Sequence, residues 1–552
     1  MHVLIRHHHI LDAMDAIISV QLLQSLDDTF VSALSIIRNI LNAHQPCGRF
    51  PPEILAIIFR HASNGSTLHE VAMWESSCLD IFQLVRLTHV CHRWREVALS
   101  TPSLWCSIND YTSCIPTILD RSRSMNLTLT TSADLAPGSA FHDFLHEHSS
   151  RISELHWVRH ENSSAIQFSS HEHLSFGAPQ LRSLTLALRH LRYPPYNFPG
   201  PTLFQGDTPQ LRFLTLRKFP FIPSNNFPTL THLHLSGLYG TDPCEALLSL
   251  FSRSPNLQEV VIEEENTSMR QFVFSKVQSR RYKVPLKHLH RFELGYIDPV
   301  TIVSWLHQLD LDPYISMLIR SRHEMDPATL GSIAALLPGN LTRVALEYFD
   351  WDTPYTDFAV TATGSSCGIR YLIKGSTPHG RQGWYGRMLS AFPQADVREF
   401  WVRVKRFSDT APPFVVPIHG LAPATLVLFV QGAHWPNLET LVMFNCRLQQ
   451  ILDFLSPGYP VYPNLSMLRI VGAPGDLSVN VAVTMKFKAL RARYRPINLV
   501  LEVDARRREN FGTVSADVEA LFESVEYRFY HTLPTMSKPD VCRTYWTTEP
   551  TA

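Results

Sequence analysis

The sequence predicts a mixed α+β or α/β protein, in which an N-terminal helix and a three-helix module are followed by an irregular solenoid of strands and helices. Three observations predict this class. Residues 1–45 contain neither proline nor glycine, and their apolar residues recur at helical spacing. A short leucine phrase recurs from residue 151 onward. The chain also holds 38 prolines against 23 glycines, the reverse of average usage.

The charge balance excludes one class of function. The 552 residues carry 49 basic and 49 acidic side chains, so the formal net charge is zero. Such a chain lacks the cationic field that nonspecific binding to nucleic acid or an anionic membrane needs. The basic runs 276–283, 486–495 and Arg506–Arg508 therefore favour solvated faces or an acidic partner over a nucleic-acid surface. We expect no nucleic acid and no membrane among the partners.

Cysteine usage indicates a reducing compartment. The nine cysteines are widely spread and form no C-x-x-C pair, so neither a disulfide framework nor a zinc ribbon is indicated. The most apolar N-terminal stretch, residues 10–26, is interrupted by Asp12 and Asp15 and lacks the continuous apolar run of a signal peptide or a spanning helix. We expect an intracellular protein of the cytoplasm, the nucleus or both.

Residues 10–45 are predicted to form one long amphipathic helix, or two short ones with a restart at Asp27 and Asp28. Apolar residues recur at steps of three or four, as a helical face requires: Leu11, Met14, Ile18, Leu22, Phe30, Leu34, Ile37 and Leu41. Two interpretations stay open. The helix packs on the following domain, or it self-associates as a coiled coil.

Residues 50–108 are predicted to form three short helices. Pro51 and Pro52 suit a helix start, and Glu53 favours the positive end of the helix dipole. A long polar insertion, from Ser63 to about Ser77, separates the first helix from the second. The helices hold more large apolar side chains than about 55 residues bury alone, so we expect the module to complete its core with a partner helix.

The order of motifs in this module resembles the F-box. The motifs are P-P-E-I-L-x-x-I-F at 51–59, L-x-x-V-C-x-x-W-R at 87–95 and S-T-P-x-L-W at 100–105, and they are especially similar to F-box-like proteins of mushroom-forming fungi. The resemblance implies docking onto a Skp-type adaptor of an SCF (cullin-RING) ubiquitin ligase, while the rest of the chain recruits a client protein. The adaptor-facing positions that it implies are Pro51, Ile54, Leu55, Ile58, Phe59, Leu84, Val90, Cys91, Trp94, Leu104 and Trp105. Two departures are Phe50, where the family usually has leucine, and the long insertion.

The region 120–530 is predicted to be a leucine-rich-repeat-like solenoid. The phrase L-x-x-L-x-L presents alternate apolar residues of a short strand to the interior, and a preceding proline fixes where the strand begins. Its first apolar anchors are residues 181, 211, 230, 257, 289, 341, 438 and 465, and residues 151–157 fit as an earlier, proline-free copy. Helix-like pieces at 244–254 and 301–309 would supply the second layer. We expect the client to bind the concave strand surface.

The later part of this region is irregular. The anchors at 341 and 438 are too far apart for one repeat, so residues 347–434 hold either undetected repeats, of which 397–404 is one, or an extra hairpin. Residues 499–503 are predicted to form a terminal strand, 516–528 a capping helix, and 534–552 a poorly ordered tail.

One short segment of the sequence fits a catalytic motif. Gly364-Ser-Ser-Cys-Gly368 fits G-x-S-x-G, which as a nucleophile elbow needs a strand before it and a helix after it. Both flanks are strand-like, so a hairpin turn explains the string better than a serine hydrolase using Ser366. His142, His146 and His148 have no second ligand pair, and no glycine-rich phosphate loop occurs, so we expect no metal and no cofactor. The predicted function is a non-enzymatic ligase adaptor, with a scaffold outside any ligase as the alternative and a hydrolase as a distant one.

Overall fold

The computed structural model divides the chain into two compact units, Met1–Arg159 and His160–Ala552. Each unit is described by itself. The structure describes residues 2–64, 74, 76–109, 112, 114–132, 140–159, 174–188, 200–219, 221–237, 244–264, 283–321, 325–337, 340–350, 356–376, 396–406, 435–444, 462–472, 496–510 and 516–545.

The first unit begins with one continuous helix, α1 (His2–His44). The helix starts before residue 10 and has no restart at Asp27 and Asp28, because an aspartate in a helix interior costs at most about 0.7 kcal/mol. The helix ends where Pro46 opens a 3₁₀ turn, Pro46–Arg49. Gln45 is extended, with ψ of 144°, as the residue before a proline is expected to be.

The rest of the first unit is a helical module followed by three strands. The module comprises α2 (Pro52–Ala62), α3 (Ile81–Thr88), α4 (His92–Ser100) and a 3₁₀ turn, Pro102–Leu104. The remaining elements are β1 (Ser107–Asn109), α5 (Ile115–Ser122), β2 (Leu127–Thr131), α6 (Ala140–His148) and β3 (Ile152–Arg159). The strands pair in parallel in the order β1-β2-β3. The proline-free phrase at 151–157 is therefore a strand, as predicted.

The second unit contains one large, mostly parallel sheet. Its first strands are β4 (Ser183–Leu188), β5 (Phe213–Arg217), β6 (His232–Ser236), β7 (Glu259–Glu263) and β9 (Arg291–Gly295). The later ones are β11 (Ser316–Ser321), β12 (Arg343–Asp350), β13 (Thr356–Thr363), β14 (Gly368–Ser376), β15 (Glu399–Arg406), β16 (Thr440–Phe444), β17 (Met467–Val471), β18 (Asn498–Asp504) and β19 (Ser524–Tyr530).

Helices and one small strand pair accompany this sheet. They are α7 (Cys244–Ser252), β8 (Val284–Leu286), α8 (Pro299–Gln308), β10 (Leu309–Leu311), α9 (Pro327–Leu336), α10 (Ala516–Glu519) and α11 (Asp540–Tyr545), with β8 and β10 paired in parallel. Asp298 and Asp326 cap α8 and α9 by accepting hydrogen bonds from the backbone N–H groups of Thr301 and Thr329.

The leucine phrase sets the positions of eight strands. Each predicted anchor, such as Leu181 or Leu211, lies two residues before the first residue of a strand and is almost fully buried. The strand order of the second unit is β4-β5-β6-β7-β9-β11-β14-β13-β12-β15-β16-β17-β18-β19. Only β13 runs antiparallel to its neighbours among these strands, because the β13–β14 hairpin is inserted between β11 and β12.

The irregular intervals have structural explanations. The interval from 289 to 341 contains β11, which has no leucine anchor: Tyr314 stands two residues before the strand, and the neighbouring Ile315 is buried. The interval from 341 to 438 contains both predicted features, the extra hairpin and a strand, β15, at the site of the 397–404 repeat. Within 347–434 the structure describes residues 347–350, 356–376 and 396–406, and the remaining positions lie outside the described residues.

The C-terminal predictions need two corrections. The capping helix predicted at 516–528 is only the short α10, and β19 follows it, because the alternating Val525, Tyr527 and Phe529 pair well along β18. The tail predicted to be poorly ordered contains α11, and Met536 and Cys542 are buried. Residues 546–552 lie outside the described residues.

Candidate docking site

Local sequence signals position the three helices of residues 50–108. Pro52 is the first residue of α2, where its missing N–H leaves no hydrogen bond unmade. The carboxylate of Asp80 caps α3 by accepting hydrogen bonds from the N–H groups of Phe82 (2.9 Å) and Gln83 (3.3 Å). Pro102 starts the short turn that brings Trp105 back onto α4, where Trp105 Nε1 donates to the carbonyl of Ala98 (2.7 Å).

The module has a compact core. Leu55, Phe59, Leu84, Leu104 and Trp105 are each 0 % exposed. The ring of Phe59 packs against Trp94 with a centroid distance of 5.0 Å, and the guanidinium of Arg121 lies 4.4 Å from the Trp105 ring centre. Five of the predicted adaptor-facing residues therefore lie in the core of the module, where their side chains have no exposed surface in the isolated chain.

The other predicted residues remain accessible. Pro51, Ile54, Ile58 and Val90 are exposed, and Cys91 and Trp94 are partly exposed. The structure also exposes large apolar side chains that the sequence interpretation missed: Phe50, Ile57, Phe82, Val85 and Leu99. Ile57 could have been found from its spacing, because Ile54, Ile57 and Ile58 stand at i, i+3 and i+4 on one helix face.

Exposed apolar residues concentrate in the first unit. Among the described residues with large exposed apolar side chains, eleven lie in α1 and eight lie between Phe50 and Leu99, whereas five lie in the rest of the described chain. Soluble monomers bury most such residues, and concentrated exposure marks an interaction surface. The outward faces of α2, α3 and α4 therefore form a candidate docking site, which we call the apolar surface.

The polar insertion between α2 and α3 is fixed at its C-terminal end. Ser76 Oγ donates to Glu154 Oε2 (2.8 Å), and Ser77 Oγ lies 2.7 Å from Thr128 Oγ1, so β2 and β3 hold this segment. Burial raises the pKa of Glu154, but hydrogen bonds from His156, Ser77 and Ser76 outweigh burial and lower it below its ordinary value. Residues 65–73 and 75 lie outside the described residues.

This polar cluster is not arranged as a catalytic triad. Ser76 Oγ lies 2.9 Å from His156 Nε2, and Glu154 Oε2 lies 3.3 Å from the same nitrogen. A triad needs the carboxylate on one ring nitrogen and the hydroxyl on the other. The cluster therefore holds the end of the insertion against β2 and β3. No local sequence pattern predicts it, because Ser76 and its partners are about 80 residues apart.

Comparisons with known proteins identify the module. Residues 48–110 match the family model described as F-box-like. The chain therefore contains an F-box-like domain, and its three helices are those whose outward faces form the apolar surface. No curated protein shows significant sequence similarity to the chain. None of the helices in the described part of the chain is both long and apolar enough to span a bilayer.

The G-x-S-x-G string is the turn of the β13–β14 hairpin. Gly364 N–H donates to the carbonyl of Cys367 (2.9 Å), and the strand β14 begins at Gly368, where a nucleophile elbow requires a helix. The hairpin interpretation of the sequence is confirmed, and Ser366 is not on an elbow. Within the described residues, no group of three or more histidine, cysteine, aspartate or glutamate side chains is arranged to hold a metal.

A substitution at this turn tests its tight packing. A Cβ atom added at Gly364 would lie 2.2 Å from the carbonyl oxygen of Asn340, which is backbone and cannot move aside easily. We expect Gly364→Ala to lower the free energy of unfolding by about 1–3 kcal/mol. Urea titration measures the loss. Ser365→Ala, at the neighbouring exposed position, is the matched control, and an equal stability of the two variants would contradict the close approach.

The large sheet has a second candidate surface. Strand alternation directs one set of side chains, such as Leu214, Leu233 and Leu294, into the core. The opposite set forms what we call the ladder face, where ion pairs join neighbouring strands. Its charged members include Arg217, Glu259, Glu263, Arg291, Glu293, Arg320, Glu347, Arg370, Arg403, Arg469 and Glu502. The basic runs at 276–282 and 486–495 lie outside the described residues.

One residue of the ladder face makes stability depend on pH. Burial, reinforced by Arg217 and Arg291, lowers the pKa of His234 from 6.5 to about 4. In the unfolded chain the imidazole of His234 takes up a proton near pH 6.5, whereas in the folded protein it does so only near pH 4. The stability that depends on neutral His234 is therefore fully present above pH 6.5 and is lost as the pH falls toward 4.

We expect the protein to lose up to about 1.4 kcal/mol of stability per pH unit from this residue in that range. His234→Asn should give a shallower dependence in urea titrations between pH 7.5 and 4.5. His288→Asn changes an exposed histidine of the same unit and should leave the slope unchanged. Identical slopes in all three proteins would show that His234 does not titrate in this way.

Proposed function

We propose that the chain is a substrate-recognition adaptor of an SCF-type ubiquitin ligase. The F-box-like domain docks a Skp-type adaptor through the apolar surface. Residues 120–530 form a leucine-rich-repeat-like solenoid, and its strand face binds a client protein. The protein itself is non-enzymatic and needs no cofactor, because its part in the ligase is to bring two proteins together. It acts inside the cell, in the cytoplasm, the nucleus or both.

The observation that carries this proposal is the apolar surface itself. A three-helix domain that matches the F-box-like model exposes Ile54, Ile57, Ile58, Phe82 and Val85 to solvent. Burying the exposed part of one such side chain against a partner contributes about 1 kcal/mol, so the five together supply several kcal/mol for docking. Partner helices laid into an apolar groove are the recognition mode that such a surface favours.

Co-expression with a Skp-type adaptor tests the proposal. We expect the full chain to co-purify with the adaptor through affinity capture and gel filtration at a one-to-one ratio. Failure of the wild-type chain to retain the adaptor would overturn the ligase role. The same chain would then be an interaction scaffold, with the apolar surface serving a different partner.

A further inference from the structure

The segment that follows β19 turns back across the ladder face of the second unit. We call residues 534–545 the C-terminal strap. Its first part, residues 534–539, lies outside helices and strands, and Pro534 and Pro539 favour extended backbone. Its second part is α11, Asp540–Tyr545.

Met536 anchors the first part of the strap. It packs in one buried cluster with five residues of four neighbouring strands, and Tyr530 packs against the same cluster: the strand residues are Ala345, Trp401, Val442, Phe444 and Val471. The register places all five on the ladder face, since Ala345 is level with Trp401, Trp401 with Val442, and Phe444 with Val471. This part of the ladder face is therefore apolar, and the strap covers it.

Cys542 anchors the second part. The residue is 0 % exposed, its thiol interacts with the side chain of Ser316 of β11, and α11 packs on that strand. Burial raises the pKa of this thiol to about 12, so it stays protonated. Lys538, between the two anchors, interacts electrostatically with Arg370, Glu347 and Arg403, which are also on the ladder face. The strap thus crosses the sheet from β17 to β11.

The strap has few anchors for its length. Among residues 534–542, the part of the strap whose burial the structure describes, the buried side chains are Met536 and Cys542, whereas Thr535, Ser537 and Asp540 are exposed. A structural strand of the same sheet, such as β16, buries four of its five side chains. A segment with two buried anchors resembles a bound peptide more than an element of the core. Segments with few buried contacts also open at the lowest free-energy cost in a folded protein.

We infer that the C-terminal strap occupies, within the same chain, the surface that receives the client. The client would supply an extended protein segment with an unbranched apolar side chain for the Met536 position and a small neutral side chain six residues later. This inference rests on the proposed recruitment of a client. A tethered segment competes at an effective concentration of the order of mM, so a free segment of equal intrinsic affinity binds the intact chain weakly.

A labelled peptide tests this inference on the full chain. The probe is a fluorescein-labelled peptide of residues 531–545. A release variant, Met536→Lys with Cys542→Asp, puts charges at both buried anchors. The control variant, Leu533→Lys with Thr535→Asp, adds the same charges at exposed positions of the same segment. We expect the release variant to bind the probe at least ten-fold more tightly than the wild type or the control.

A second arm keeps every buried residue native. A site-specific protease sequence is inserted at Thr532, which is exposed, and the purified chain is cut there. Once cut, the strap is free to dissociate, and the probe should replace it, whereas the uncut chain should exclude the probe. In hydrogen exchange, amides of residues 534–545 should be protected in the wild type and exchange rapidly in the release variant.

The outcomes separate this inference from the proposed function. If neither the release variant nor the cut chain binds the probe more tightly than the uncut wild type, the strap is not a displaceable ligand. A probe that carries the Met536→Lys change and binds equally well would also overturn the inference. Retention of the Skp-type adaptor is measured on the same samples. Loss of the adaptor from the wild type would contradict the ligase role without affecting the peptide result.

Discussion

Replacing Ile54, Ile58 and Phe82 together by aspartate is expected to abolish retention of a Skp-type adaptor. The three side chains are between 36 % and 56 % exposed in the isolated chain, so a large part of each is available to a partner. Burying the exposed part of each side chain contributes about 1 kcal/mol, and a carboxylate in the same contact adds a desolvation cost. The combined loss exceeds about 4 kcal/mol, which corresponds to at least a thousand-fold weaker Kd. Isothermal titration calorimetry and co-purification measure the effect.

Two controls make this result specific to the apolar surface. Val300→Asp with Tyr314→Asp changes exposed apolar residues of the second unit and should leave adaptor binding unchanged. Leu55→Asp would also lose binding, but it puts a charge at a fully buried core position, so it should unfold the domain and lower the far-UV helical signal. The triple variant should keep the wild-type helical signal. Full adaptor binding by the triple variant would show that docking uses another surface.

The sequence predicts the existence of the three helices better than the orientation of their side chains. Ile54 and Leu55 are adjacent and equally apolar, yet Leu55 is 0 % exposed and Ile54 is 41 % exposed. A stripe at i, i+1, i+4 and i+5 spans both the inward and the outward edge of a helix face. Which edge faces the core depends on where α3 and α4 pack, and that information is not local in the sequence.

In the large sheet, too, the sequence predicts where strands lie along the chain better than it predicts which strands pair. The anchors at Leu181 and Leu438 predict strands two residues later, because the leucine spacing and the preceding proline act within about ten residues. The insertion of the β13–β14 hairpin between β11 and β12 joins Ser316 to Gly368, more than 50 residues apart, and nothing in either phrase encodes that pairing. Burial of the strap is likewise determined by partners over 60 residues away.

The C-terminal strap covers apolar side chains that the ladder face would otherwise expose to water. Polar and charged side chains occupy the ladder face from β6 to β11, where Glu259, Arg291 and Arg320 pair across strands. From β12 to β17 the same face carries Trp401 and Val442, which need cover from water. The chain supplies that cover itself through Met536. A sheet surface on which this apolar cluster lies beside charged residues such as Arg403 and Arg469 suits a protein segment that carries both kinds of side chain.

The second large effect is expected at Glu293, the buried carboxylate at the centre of the ion pairs between β7, β9 and β11. Its side chain is 0 % exposed, and both neighbours are arginines: Arg291 Nη2 lies 2.6 Å from one oxygen and Arg320 Nη2 lies 2.5 Å from the other. Arg291 also pairs with Glu259 at 3.3 Å, and Arg320 with Glu263 at 2.7 Å. The ion pairs thus connect β7, β9 and β11.

Glu293→Ala is expected to destabilise the second unit by about 2 kcal/mol, because each arginine loses its fully buried partner and keeps only one carboxylate, Glu259 or Glu263. Glu293→Gln keeps the side-chain size and should still lose most of this stability, since only the charge is removed. Thermal and urea unfolding of the full chain measure the losses. Glu526→Ala breaks the exposed pair with Arg528 and serves as the matched control, for which we expect no measurable change. If Glu293→Gln were as stable as the wild type, side-chain packing rather than charge would hold these three strands in register.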